Sequence, residues 1–564
     1  MSAHVIADDT RVIGYEEFMA GFGAEKIAAE LSGDFAAGLN ACIECCDRHA
    51  QNGRVALFWE GSDGRSETWT FEQLRECSAR LANFLQGAGV QPGDRIAGLL
   101  PRIPELLIVI LGTWRLGAVY QPLFTAFGPM AIEDRLGAGG ARMIFTDANN
   151  RPKLANIPAC PPIVTIHGDR AAGGRDFWTE MQRQPTHFEP VMRRGDDPFL
   201  MMFTSGTTGP AKALMVPLKA LPAVYVYMRY AIDLRADDTY WNIADPGWAY
   251  GLYFAAIGPG LLGHATTLYD GPFTAESTYR VIAKYGIINL AGSPTAFRLL
   301  IAAGAEAAKP IRGRLRVVSS AGETLNPEVI RWFRENLDCP INDHYGQTEV
   351  GMVLCNHHGL RHPVHVGSAG LPVPGFEVAI VDEEARKVAP GTPGILAVDR
   401  KRSSLFWFQG YWQQETTCWV GDYHLTGDTV RQNADGSISF VGRSDDIITS
   451  SAYRIGPYEV ESALIEHPAV MEAAVIGKPD PERTQVVKAF VVPHSGYQPA
   501  PELAEELQRF VKTRLSAHAY PREIEFVEHL PKTSSGKLQR FILRQQEIEK
   551  AKRSEAPERE RRLP

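Results

Sequence analysis

Two hydrophobic rhythms alternate along the chain. From Phe71 the apolar positions Leu74, Cys77, Leu81, Phe84 and Leu85 recur at the spacing of one helical face. Thr70-Phe-Glu-Gln73 forms a capping box that opens this helix, and Gly87 closes it. Short apolar runs at 95–100, 143–146, 163–166, 287–290 and 315–319 have the length of strands, and a helix runs through 106–116. Helices set between short apolar strands predict layered α/β architecture with largely parallel sheets.

After about Gly442 the pattern restarts. Asp445-Asp446 precedes a new strand-helix unit in which Val460, Ala463 and Leu464 share one face before Pro468. This predicts a large unit over 1–443 and a smaller one over 444–564. Residues 548–564 are rich in charge and read as a solvated helix end.

Composition narrows the class. With 564 residues, 45% hydrophobic, 22% charged and a formal net charge of -8, the chain is an ordinary globular protein, and nucleic-acid binding is disfavoured. No segment reaches the about 20 apolar residues of a membrane span, and the start lacks a basic, then apolar, leader. A cytoplasmic protein without stable membrane insertion is expected; its oligomeric state leaves no mark on the sequence. Eight scattered cysteines point to reduced thiols. Cys42, Cys45 and Cys46 lie near His49, but adjacent cysteines suit a metal site poorly and read better as small buried hydrophobes on a helix. Cys355-Asn-His-His358 is likewise read as a loop with incidental imidazoles.

The candidate chemistry begins at Thr204-Ser-Gly-Thr-Thr-Gly-Pro-Ala-Lys212, directly after an apolar run at 199–203. A strand feeding such a loop suits phosphate. Gly206 and Gly209 let backbone N–H groups approach phosphate oxygens, the hydroxyls of Thr204, Ser205, Thr207 and Thr208 add donors, and Lys212 adds charge. The spacing is not that of the common P-loop, and a polar surface turn has the same composition.

The string resembles the signature of the adenylate-forming superfamily, which includes acyl-CoA synthetases, peptide-synthetase adenylation domains and luciferases. Further motifs stand in that family's order: Ala321-Gly-Glu-Thr324, Tyr345-Gly-Gln-Thr-Glu349, Thr426-Gly-Asp428 with Gly442-Arg-Ser-Asp-Asp446, and Pro531-Lys-Thr-Ser-Ser-Gly-Lys537. Together they span most of the chain. The resemblance implies a large N-terminal domain of layered α/β sheets with a small β-barrel-like part, followed by a smaller, mobile α+β domain. It implies ATP, Mg²⁺ and coenzyme A as co-substrates and cofactors, and a small carboxylic acid as the group activated.

Roles follow by the same resemblance. Gly322, Glu323 and Tyr345 border the adenine, with Gln347 beside them in the nucleotide site. Thr348 contacts the α-phosphate, and Glu349 is the metal ligand, a hard oxygen donor suited to Mg²⁺. Asp428 accepts the ribose hydroxyls, backed by Arg443, and Arg454 stands near the phosphates. Lys537 swings in to bridge carboxylate and α-phosphate, an ammonium placed against developing charge. Asp445 is the hinge about which the small domain turns between half-reactions.

The segment from Trp241 to Gly251 and the run Ser451-Ala-Tyr-Arg-Ile-Gly-Pro457 are similar to acetyl-CoA-synthetase-like and medium-chain acyl-CoA synthetases. Trp248, Ala249, Tyr250, Gly251 and Ala321 are the expected walls of the acyl pocket. Gly346 stands where acetate-specific relatives carry a tryptophan, and the missing indole implies room for further methylenes at about 0.8 kcal/mol each. A short-to-medium-chain, branched or aromatic acid is therefore expected over acetate. The thiol site falls on Ser451, Ala452 and Lys512. Relatives carry glycine where this chain has Ala452, which makes thioester formation less secure than adenylation. An adenylating enzyme that passes its acyl group to a carrier protein or another acceptor is the alternative.

Overall fold

The computed structural model describes residues 13–168, 174–204, 211–450, 453–480, 484–515, 519–533 and 537–560. Two sheets organise the large domain. The first runs in the order Arg175–Asp176, Ile163–Ile166, Met143–Asp147, Arg95–Leu99, Val119–Pro122, Pro198–Phe203, Ala213–Pro217. Its neighbours are parallel until Pro198–Phe203 turns back antiparallel into Ala213–Pro217. The second runs Tyr240–Asn242, Asn289–Gly292, Val317–Ala321, Ile341–Gln347, Gly351–Cys355, Leu371–Pro372, parallel through the first four and antiparallel beyond.

Local signals place the helices. Thr70 Oγ1 accepts from the Gln73 backbone N–H at 3.2 Å while Gln73 Oε1 accepts from the Thr70 N–H at 2.8 Å, completing the expected capping box of the helix Phe71–Gly87. That helix packs on Pro104–Arg115, in which every residue is buried, the condition of a helix apolar on all sides. The strands expected at 287–290 and 315–319 begin two residues later, at Asn289 and Val317. Ile287 is used in closing the preceding helix, where its N–H reaches Ile282 O after the left-handed Gly286.

A five-stranded antiparallel sheet follows in the chain: Val378–Val381, Gly394–Asp399, Tyr423–Gln432 and Trp419–Val420, with Ile438–Arg443 also on Tyr423–Gln432. The C-terminal domain has its own core, in which Ile448, Val460, Leu464, Val487 and Leu507 are buried together. Its sheet runs Tyr453–Ile455, Ile448–Ser450, Thr484–Pro493, Val470–Asp480, with Glu523–Phe526 parallel on Thr484–Pro493. The tail expected to be solvated from 548 belongs to the helix Arg540–Glu560 and is tied down at its start, where Lys550 Nζ lies 2.8 Å from buried Glu547 and 3.0 Å from Glu525. No helix among the described residues is long and apolar enough to cross a membrane.

The cysteines behave as expected of small hydrophobes. Cys42, Cys45 and Cys46 are buried, the first two on the short helix Ala41–Cys45, and burial pushes the Cys42 thiol up to about 12.

Candidate active site

Parallel strands of the second sheet end along one edge, and each continues into a loop or helix that carries polar residues. Gly292 leads to Ser293, which caps a helix bearing Thr295 and Arg298. Ala321 leads to Gly322 and Glu323, and the strand Ile341–Gln347 leads to Thr348 and Glu349. Because Ala321 is in register with His344, Gly322 and Glu323 fall beside Tyr345. Such a crevice beyond the carboxyl ends of parallel strands is where α/β folds bind ligands. Here it encloses about 770 Å³ and is closed on its far side by Asp428, Arg443 and Lys537.

Asp428 is the hub of one wall. Its carboxylate accepts from Tyr345 Oη at 2.5 Å and Gln347 Nε2 at 3.1 Å, and Arg443 Nη1 lies 3.5 Å away. Asp428 and Arg443 are cross-strand partners, so the pair is set by sheet register. Burial raises the Asp428 carboxyl above its usual range, opposed first by Arg443, then by Tyr345 and Lys537. Gly322 adopts φ +97° with open space where a Cβ would stand, so backbone conformation is what demands glycine there. Glu323 is held by Thr295 Oγ1 at 2.7 Å and Arg298 Nη2 at 3.0 Å, partners that carry no sequence motif of their own.

The opposite wall is built on the first sheet. Thr204 and Lys212 close the hairpin between Pro198–Phe203 and Ala213–Pro217, with Thr204 N–H donating to Lys212 O at 2.9 Å. Residues 205–210, with the expected phosphate donors Ser205, Gly206, Thr207, Thr208 and Gly209, lie outside the described residues. Glu349 Oε1 accepts from Tyr411 Oη at 2.8 Å, and the Lys212 ammonium lies 4.8 Å from the Tyr411 ring centre. Burial raises the Glu349 carboxyl, while Tyr411 and the Lys537 charge oppose the shift. A carboxylate so placed beside a cleft fits Mg²⁺. Thr348 lines the cleft, its carbonyl accepting from Tyr253 Oη at 3.2 Å.

Other expected residues stand elsewhere. Trp248 packs 5.2 Å from both Phe124 and Phe127, Tyr250 lies 5.6 Å from Phe254, and Ala321 is buried at its strand end; these residues, like Ala249 and Gly251, do not border the cleft. Gly346 does border it. A Cβ there would sit 2.3 Å from Gly351 O, so the glycine is what lets the returning strand close. Lys512 lies on the helix Pro501–Arg514 with its ammonium 5.4 Å from the Tyr520 ring, away from the cleft. Ser451 and Ala452 are outside the described residues; Arg454 is on the strand Tyr453–Ile455, its backbone in register with Thr449.

The imidazoles of the loop after Glu349 pack inward, His357 buried and His358 half-buried. His358 Nε2 donates to Val318 O at 3.0 Å, His357 Nε2 to Pro372 O at 3.3 Å, and burial pulls both rings down to about 3. In the unfolded chain they protonate near pH 6.5. Their burial as neutral rings therefore favours the fold fully above pH 6.5, and that advantage is lost as pH falls from 6.5 towards 3, at about 1.4 kcal/mol per ring per pH unit. Urea unfolding should show a lower midpoint at pH 5.5 than at pH 7.5, and a His357→Gln, His358→Gln double variant should show a smaller drop. An equal drop in the variant would place the proton uptake elsewhere.

Comparisons with known proteins agree with this geometry. The model of the AMP-binding enzyme family matches residues 46–412, and that of the AMP-binding enzyme C-terminal domain matches 459–537. The chain is 37% identical over 557 residues to the acetyl-coenzyme A synthetase of Bacillus subtilis, covering 96% of each. A crystal structure of Brucella canis acyl-CoA synthetase is 57% identical with a TM-score of 0.78, over 96% of this chain and 100% of that one. The anthranilate CoA ligase AuaEII, solved in complex with anthranoyl-AMP, is 27% identical with a TM-score of 0.84, over 94% of this chain and 100% of that one. The chain belongs to the AMP-binding enzyme family and, within it, to the AMP-forming acyl-CoA synthetases.

Proposed function

We propose that the chain activates a short-to-medium-chain, branched or aromatic monocarboxylic acid in preference to acetate. In the first step a carboxylate oxygen bonds to the α-phosphorus of ATP and pyrophosphate leaves; in the second the thiol of coenzyme A takes the acyl group, AMP leaves and a proton is released. The observation that carries this reading is that Lys212, Glu349, Asp428 and Lys537, spread over the length of the chain, share one cleft.

Each residue has work suited to its place. Asp428, its lone pairs directed by Tyr345 and Gln347, accepts the ribose hydroxyls, and Arg443 balances its charge. Lys212 and the residue 204–209 loop hold the triphosphate, and Thr348 meets the α-phosphate. Lys537 neutralises charge that builds as the carboxylate approaches the α-phosphate. Glu349 would hold magnesium, which supplies positive charge against the departing pyrophosphate.

The preference for a larger acid rests on Gly346 in place of tryptophan and on a structural relative that holds anthranoyl-AMP; the Bacillus subtilis relative is named for acetate. Incubation with ATP, Mg²⁺, coenzyme A and a panel of acids, reading AMP release with and without the thiol, tests acid and acceptor together. An acetate kcat/KM above that of every longer acid would overturn the preference.

We further assign the domain boundary to 443/444 and the pivot to Asp445. Arg443 Nε lies 3.3 Å from Asp445 Oδ1, whereas neighbouring Asp446 is bound by Arg540 Nη1 at 3.4 Å and by Arg544 of the C-terminal helix. Successive aspartates are thus anchored to different domains, which supports a hinge there.

A further inference from the structure

Tyr411 belongs to none of the motifs that mark the nucleotide site, yet it touches two of them. Its hydroxyl donates to Glu349 Oε1 at 2.8 Å, and its ring carries the Lys212 ammonium 4.8 Å from the centre. The backbone fixes it from both sides. Trp412 N–H donates to Ala213 O at 2.7 Å, Tyr411 forms an isolated bridge with Leu214, and Tyr411 N–H donates to Thr416 Oγ1 at 2.9 Å. Phe408 meets the ring edge-on at 5.2 Å. The tyrosine is therefore paired against the strand that follows the phosphate loop, opposite Leu214, two residues past Lys212.

We propose that Tyr411 is a positioning residue that holds the metal-binding carboxylate and the phosphate-binding ammonium in fixed relation to each other. This rests on the roles proposed above for Glu349 and Lys212. Donation to Oε1 fixes the rotation of the carboxylate and leaves Oε2 as the oxygen available to the metal. Partners that orient a metal ligand in this way commonly govern affinity as strongly as geometry does. The ring does the equivalent for Lys212, whose flexible stem otherwise leaves its charge unplaced.

Separate substitutions divide the two contacts. Tyr411→Phe keeps the ring under Lys212 and removes the donor to Glu349; Tyr411→Leu removes both. With the full-length protein, calorimetric dissociation constants for ATP are measured with Mg²⁺ and with EDTA, alongside melting temperatures. Tyr411→Phe is expected to weaken ATP binding about tenfold in Mg²⁺ while leaving metal-free ATP unchanged. Tyr411→Leu is expected to weaken both. Wild-type binding of Mg²⁺-ATP by the Phe variant, or an equal loss with and without the metal, overturns the proposal, and a lowered melting temperature accompanying an equal loss assigns Tyr411 a merely structural part. Glu349→Gln in the same assay separates this failure from a deeper one: if Mg²⁺ still strengthens ATP binding there as in the wild type, the metal assignment of Glu349 falls instead.

Discussion

Lys537→Ala is expected to slow acyl-adenylate formation by about 10²- to 10³-fold, the usual cost of removing one group aimed at developing charge in a closed site. Lys537 is tied to Thr533, whose N–H donates to Lys537 O at 2.7 Å and whose Oγ1 accepts from the Lys537 N–H at 3.0 Å. Its side chain is exposed to the cleft, and its charge is felt by both Glu349 and Asp428. Removing it leaves no buried partner stranded, so melting temperature should not change. Carboxylate-dependent exchange of pyrophosphate into ATP reads the first step alone. Thioester formation from acyl-AMP supplied in the assay should persist, because no phosphorus centre reacts in that step. Undiminished exchange in the variant would remove Lys537 from the mechanism.

Asp428→Ala should weaken ATP binding by about 10²-fold, two charge-assisted hydrogen bonds to ribose being worth about 1.5–3 kcal/mol each before the cost of regrouping is deducted. The loss extends to the free protein. The Tyr345 hydroxyl and the Gln347 amide lose their shared acceptor, and Arg443 loses its buried anion and keeps only the exposed Asp445. Asp428→Asn retains an acceptor for Tyr345 and should fall between the two. Calorimetric titration with ATP checks the order; an alanine variant that binds ATP as the wild type does would place the ribose elsewhere.

The residues legible in sequence were those set in local strings. The capping box at Thr70, the helical face of Val460, Ala463 and Leu464, and the ordered motifs containing Lys212, Glu349, Asp428 and Lys537 all depend on neighbours a few positions away. What escaped depends on approach between distant segments. Tyr411 meets Glu349 across 62 positions, and Arg298 meets Glu323 across 25. No spacing rule reports such pairs. The histidines after Glu349 look polar in sequence, yet the second sheet and its connections bury His357 and half-bury His358. Gly346 shows the converse: its motif is legible in sequence, but the demand of the returning strand, whose Gly351 O would meet a Cβ at 2.3 Å, is not.

The pair Asp445 and Asp446 has a consequence for recombination. Since Asp445 answers to Arg443 and Asp446 to Arg540 and Arg544, the ionic contacts of these two aspartates part at one peptide bond. A hybrid that takes its first 445 residues from this chain and the remainder from a relative inherits each aspartate with its own arginines, provided the donor supplies both Arg540 and Arg544 counterparts. A junction even one residue later separates Asp446 from the helix that neutralises it and leaves a half-buried carboxylate to find its counter-charge in a foreign sequence.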